Sequence, residues 1–165
     1  MGTRNINVAL WEIFQNTSVL MNKVRQRELN QFGITLSSLS VLNMIVELGA
    51  AVTLSNIARQ MGLEVHTVSA QLNRMVKEGW IEKSKNRGKR NLMSIRITDK
   101  GYEILDKTAG RKMINSIMSV LTDEEKHRLW QITNKIREQC IIELGRMSYD
   151  IYPRLITDDL ATQFE

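Results

Sequence analysis

The spacing of apolar positions changes period along the chain and divides it into helical stretches around one strand-like stretch. Over residues 5–32, Leu10, Ile13, Phe14, Leu20, Met21 and Val24 recur at helical intervals until Gly33, which predicts one long helix. A second helix is predicted over 35–48. Thr35 caps it, Gly49 ends it, and Leu39, Leu42, Ile45, Val46 and Leu48 form its buried stripe. Two short helices follow in tight succession. Thr53 caps the first, over 54–61, with Ile57 and Ala58 inward and Gly62 at its end; Leu63 packs the corner. The second runs over 64–77, with Val65, Val68, Leu72, Met75 and Val76 on one face and Gly79 after it.

Between residues 80 and 98 the period drops to two. Ile81, Lys83 and Lys85 alternate with Trp80, Glu82 and Ser84, and Met93, Ile95 and Ile97 alternate with Ser94 and Arg96. Turn-forming residues separate the runs, so a β-hairpin is predicted. Helical spacing returns over 99–121, with Tyr102, Leu105, Ala109, Met113 and Ile117 inward. Thr122 followed by Glu125 is a capping box that opens a last long helix to about residue 147, with Leu129, Ile132, Ile136, Cys140, Ile141 and Leu144 as its apolar face. The tail from 148 is expected to turn at Pro153 and to form a short helix from 158.

This order predicts a mainly α fold with a small β-hairpin wing. A winged helix-turn-helix occupies 35–98, and helical dimerisation regions occupy 1–34 and 99–165. Two short helices joined through Gly62 meet at a steep angle, and the second can project into a major groove. Its outward residues are His66, Thr67, Ser69, Ala70, Asn73, Arg74 and Lys77. The short polar groups near its N-terminal half suit base edges or phosphates, and the cations near its C-terminal half suit phosphates. An ordinary polar surface helix would carry similar residues, so the helix alone does not decide.

The hairpin adds weight. Lys83, Lys85, Arg87, Lys89 and Arg90 fall within eight residues with no acidic residue among them. Such a cluster repels itself unless phosphates stand nearby, and release of counterions would then drive binding. An arginine at the tip could enter a narrow minor groove. The first and last helices carry more apolar surface than the small winged unit can cover. Pairing with the same helices of a second chain would bury it and present two recognition helices to a palindromic duplex.

Composition narrows the setting. The net charge of +5 and pI near 9.5 favour an anionic partner. A single cysteine excludes an intramolecular disulfide, no apolar run approaches the roughly 18 residues of a membrane span, and no secretory signal is visible, so a cytoplasmic protein without a membrane partner is expected. Cys140 falls on an apolar helical face and is expected to be a buried, inert thiol. His66 and His127 are the only histidines, and no ligand spacing for a metal surrounds them. No phosphate loop, nucleophile elbow or histidine–carboxylate pair appears, so neither catalytic residues nor a cofactor are expected.

Over residues 5–147 these features resemble the MarR family of winged-helix regulators. Ile34-Thr35 followed by Leu39 and Leu42 is similar to the family's second helix. Val68-Ser69 through Arg74-Met75 to Gly79-Trp80-Ile81 is similar to its recognition segment, and Ile95-Arg96-Ile97-Thr98 through Gly101 to the close of its wing. Two positions depart. Lys89-Arg90-Asn91 stands where the family has Asp-x-Arg at the wing tip, and Ala70 stands where an arginine is frequent. The resemblance implies a dimeric repressor of double-stranded DNA, released by a small amphipathic or aromatic effector between the winged unit and the dimerisation helices. Trp11, Phe14, Met44 and Met113 are the candidate liners. The two departures keep an alternative in view: a non-specific or architectural DNA-binding protein without ligand response.

Overall fold

Threonine hydroxyls set the starts of four helices, and left-handed glycines set several of their ends. A computed structural model of the chain describes residues 5–49, 52–85 and 93–145. The elements run α1 (Ile6–Asn30), α2 (Leu36–Leu48), α3 (Leu54–Met61), α4 (Val65–Lys77), β1 (Ile81–Lys85), β2 (Met93–Ile97), α5 (Asp99–Thr108), α6 (Lys112–Met118) and α7 (Asp123–Glu143). Thr35, Thr53, Thr98 and Thr122 each accept a main-chain N–H three residues on, satisfying a donor that the first helical turn leaves open. At α7 the Glu125 carboxylate also accepts the Thr122 N–H at 2.8 Å, completing the capping box.

The core lies in the winged unit. Val41, Leu42, Ile57, Val68, Leu72, Met75 and Ile81 are almost wholly buried, joined by Ile95 and Ile104 and, from the approach to α2, by Leu29 and Ile34. Gly62 takes φ +61 between α3 and α4, a conformation open to glycine at little cost, and it turns the chain sharply into α4. β1 and β2 form an antiparallel pair with Ile81 opposite Ile97 and Lys83 opposite Ile95. The end of α4 and the start of α5 are bound together. The Thr98 hydroxyl donates to the Gly79 carbonyl at 2.6 Å, its N–H to that of Trp80 at 3.1 Å, and the Lys100 ammonium to that of Glu78 at 2.7 Å.

Three features differ from the sequence expectation. The helix expected over 99–121 is two helices, because the chain breaks at Gly110 and at Arg111, whose φ is +44. Arg25 of α1 takes the main-chain carbonyl of Thr108 at 3.1 Å, and the Thr108 hydroxyl bonds back to the carbonyls of Ile104 and Leu105. Both act on the carbonyls of the last turn of α5, and hydroxyl back-bonding of this kind bends helices. Next, Val46, Leu63, Val65, Val76, Tyr102, Ala109 and Met113 are exposed, while Val41 and Ile104 hold the buried places. Finally, Cys140 is exposed, not buried, since α7 contains no buried residue. The expected tail turn at Pro153 and helix from 158 lie outside the described residues.

Candidate nucleic-acid interface

The recognition helix is fixed from behind and open in front. Val68, Leu72 and Met75 anchor one side of α4 in the core. Gln71 donates to the Ser37 hydroxyl of α2 at 2.8 Å, which fixes the rotation of α4 about its axis. On the opposite side His66, Thr67, Ala70, Asn73, Arg74 and Lys77 are exposed, and Ser69 is half-buried at the edge. The sequence-derived face is therefore gathered on one surface of one helix. Small side chains near its N-terminal half leave the backbone approachable. Arg74 and Lys77 sit in the last turn, where their charge also favours the helix dipole.

The hairpin divides its charges between two faces. Ile81, Lys83, Ile95 and Ile97 share the face that packs inward, and Glu82, Ser84, Ser94 and Arg96 share the other. Lys83 is half-buried, and burial pushes its ammonium pKa below the ordinary lysine value. Its Nζ donates to Asn73 Oδ1 of α4 at 2.7 Å. Lys85 is placed at the end of β1, opposite Met93. Arg87, Lys89 and Arg90 lie outside the described residues. Arg96 was missed by reasoning on the Lys83-to-Arg90 cluster alone. It is exposed on the outer face, directly across from Glu82, and the two-residue alternation beyond the turn carries the signal for it.

A cavity of about 280 Å³ opens between α1, α2 and α6, lined among others by Asn22, Arg25, Leu39, Asn43, Ile114 and Met118. Its wall is mostly apolar, with a few polar groups converging. Trp11, Phe14, Met44 and Met113 are not among its lining residues. Trp11 and Phe14 are exposed on α1, Met44 packs against the core from α2, and Met113 is exposed on α6. Among the described residues no group of three or more His, Cys, Asp or Glu side chains could hold a metal ion, and no helix is long and apolar enough to cross a membrane.

Comparison with known proteins agrees with this geometry. Residues 32–90 match the family model described as the MarR family. The chain is 20% identical over 128 residues to the HTH-type transcriptional regulator PecS of Dickeya dadantii (strain 3937), covering 75% of this chain and 77% of that protein. Among solved structures it resembles the organohalide-sensing transcriptional regulator RdhR in its 2,4-dichlorophenol-bound form, with a TM-score of 0.81, 24% identity, and 92% and 90% of the two chains covered. It also resembles a mutant MarR from E. coli complexed with operator DNA, with a TM-score of 0.73, 19% identity, and 82% and 99% covered. At these identities the structural likeness establishes the winged-helix fold.

Proposed function

We propose that the chain is a MarR-family winged-helix transcriptional regulator and acts as a two-fold dimeric repressor of a palindromic operator, released by a small amphipathic or aromatic effector. The observation that carries the DNA reading is the single exposed polar face of α4, held in rotation by Gln71 and Ser37 and bordered by the hairpin. A rigid helix with an open face next to a charged hairpin is what entry into a major groove requires. Support for the dimer comes from the apolar residues left uncovered on α1 and α7, among them Trp11, Ile13, Ile132 and Ile136. Support for an effector comes from the cavity between α1, α2 and α6, which touches both the winged unit and the flanking helices. The organic ligand of the RdhR structure fits a wall of this polarity.

DNA flanking the chain's own gene, titrated against random duplex of equal length at moderate salt, tests this reading. A preference of at least about a hundredfold is expected, at the low end of the specificity ratios of such proteins. Equal affinity for both duplexes overturns the operator. One observation favours that second outcome. Ala70 occupies the middle of the exposed face and Asn73 is already bonded to Lys83, which leaves few side chains free to read bases. A duplex binder without sequence preference would also show no thermal shift with 2,4-dichlorophenol and no release by it.

A further inference from the structure

Lys83 stands first in the basic cluster of the hairpin, where every cation would be expected to meet a phosphate. Its place in the fold differs. The alternation of β1 puts Lys83 on the same face as buried Ile81, and its cross-strand partner is Ile95, also buried. The exposed face of the hairpin belongs to Glu82, Ser84 and Arg96. A lysine on the inward face lays its methylene stem along apolar neighbours and carries its ammonium to the edge. Here that edge is α4, and the ammonium ends on Asn73 Oδ1 at 2.7 Å.

The chemistry of this bond fixes more than a distance. An ammonium has only donors, so the atom it meets on Asn73 must be the amide oxygen. The amide nitrogen of this exposed residue is then the end left for a further partner. An asparagine that reads adenine does so with both ends of its amide, accepting from N6 and donating to N7. With one of the two lone pairs of its oxygen taken by Lys83, Asn73 offers its N–H groups more readily than its oxygen. These suit acceptors in the groove: O6 and N7 of guanine, N7 of adenine, or O4 of thymine.

Resting on the proposal that α4 enters the major groove, we infer that Lys83 is a positioning residue and not a phosphate contact: bonded to Asn73, it ties the wing to the recognition helix and presents the Asn73 amide to DNA chiefly as a donor. The bond joins the two parts of the interface that must touch the duplex together. α4 and β1 are continuous at Trp80, but β1 extends away from that junction, and its inclination to α4 needs a contact further along. Lys83 to Asn73 is such a contact, and it sets how far the wing stands from the groove that α4 occupies.

The test uses the full chain and two probes: a randomised duplex pool for selection and sequencing, and a mixed-sequence duplex titrated over a range of salt. Wild type, Lys83→Met, Asn73→Ala and the double variant are compared, with circular dichroism as the check on folding. Lys83→Gln stands in if the methionine variant does not fold. A phosphate-contacting lysine contributes about 0.9 to the log–log salt slope. Lys83→Met is expected to leave the slope within about 0.3 of wild type. It should weaken binding to the selected sequence by about fivefold, and have no further effect once Asn73 is alanine, the non-additivity of a shared bond. The wild-type pool should enrich an acceptor-bearing base at one position, and Lys83→Met should relax it. A slope lowered by about one, additive losses, or unchanged selection would each overturn the inference. If wild type binds neither probe, the DNA reading itself falls and takes this inference with it, an outcome visible before any variant is compared.

Discussion

The guanidinium of Arg25 on α1 donates to the main-chain carbonyl of Thr108 at the end of α5, 83 residues away in sequence, at 3.1 Å. Arg25 also pairs with Glu28 one turn on, and the other oxygen of Glu28 accepts the main-chain N–H of Met113 in the first turn of α6. One ion pair thus holds both sides of the α5–α6 break against α1. It joins the end of α5 to the first long helix, and Arg25 borders the cavity as well. Removal of the arginine would strand a carboxylate that is only 7% exposed. Breaking a fully sealed pair costs roughly 3–5 kcal/mol. Because the cavity lets water approach, Arg25→Met is expected to cost about 2 kcal/mol, or a melting temperature lower by about 5 °C. Joint replacement with Glu28→Gln should recover part of this loss. Thermal unfolding of the three variants checks both expectations, and a double-variant loss equal to the sum of the two single losses would show that the pair is not coupled.

The same pair predicts a limb of the pH profile. Burial pushes the Glu28 carboxyl up, but the hydrogen bonds from Arg25 and from the Met113 and Lys112 main chain, with the charge of Arg25, hold it below its ordinary value of 4.5. Its folded pKa therefore lies under its unfolded one. The stabilisation is fully present above 4.5 and is lost as the pH falls through the folded value, because the unfolded chain then binds more protons. Asp123, held low by Lys126, has the same sign but is fully exposed. Melting temperatures measured downward from pH 6 should fall more steeply in wild type than in Glu28→Gln. Parallel curves would remove Glu28 from the acid limb.

Gly101 predicts a steric limit. It lies in the first turn of α5 with ordinary helical backbone, yet a Cβ there would stand 2.2 Å from the Trp80 carbonyl oxygen and 2.6 Å from Ile97 Cγ2. The carbonyl cannot yield easily, since it accepts the Thr98 N–H at the base of the hairpin. Gly101→Ala should cost about 2 kcal/mol in spite of alanine's better helix propensity. It should also shift the hairpin relative to α4, so duplex affinity is expected to fall together with the melting temperature. A stabilised variant would mean that α5 can move away from Trp80 at no cost.

Local chemistry is what the sequence made legible. Thr35, Thr53 and Thr122 cap helices where a hydroxyl precedes an apolar period, and Gly33, Gly49, Gly62 and Gly79 all take the positive φ that ends one. The winged helix-turn-helix and the outward face of α4 follow from such signals. Contacts between distant residues were not legible. The α5–α6 break falls at Gly110, a breaker that a local window does hold, but the bond from Arg25 to Thr108 on its near side is not written in any window around residue 110. The exposure of Val46, Val65 and Val76 depends on what packs beside each helix, not on the period within it. Lys83 is an intermediate case. Its alternation with Glu82 already put it on the inward face with Ile81, but grouping it by charge with Arg87, Lys89 and Arg90 hid this.

The exposed stripe of the last long helix leads to the prediction on assembly. Leu129, Ile132 and Ile136 recur at helical spacing on α7 and are between 39% and 47% exposed, and α1 adds Trp11 and Ile13, each more than 60% exposed. A single chain would leave all of this in water. At about 25 cal/mol per Å², covering it with the same surface of a second chain offsets the cost of association. Two charges placed in the stripe should prevent this. Ile132→Asp with Ile136→Asp is expected to convert a dimer into a monomer in analytical ultracentrifugation. The winged unit should still melt cooperatively, since its core contains no residue of α7. Duplex binding should weaken by at least a hundredfold, because two linked half-sites become two separate encounters. Wild type that sediments as a monomer, or a charged variant that still sediments as a dimer, would place the interface elsewhere.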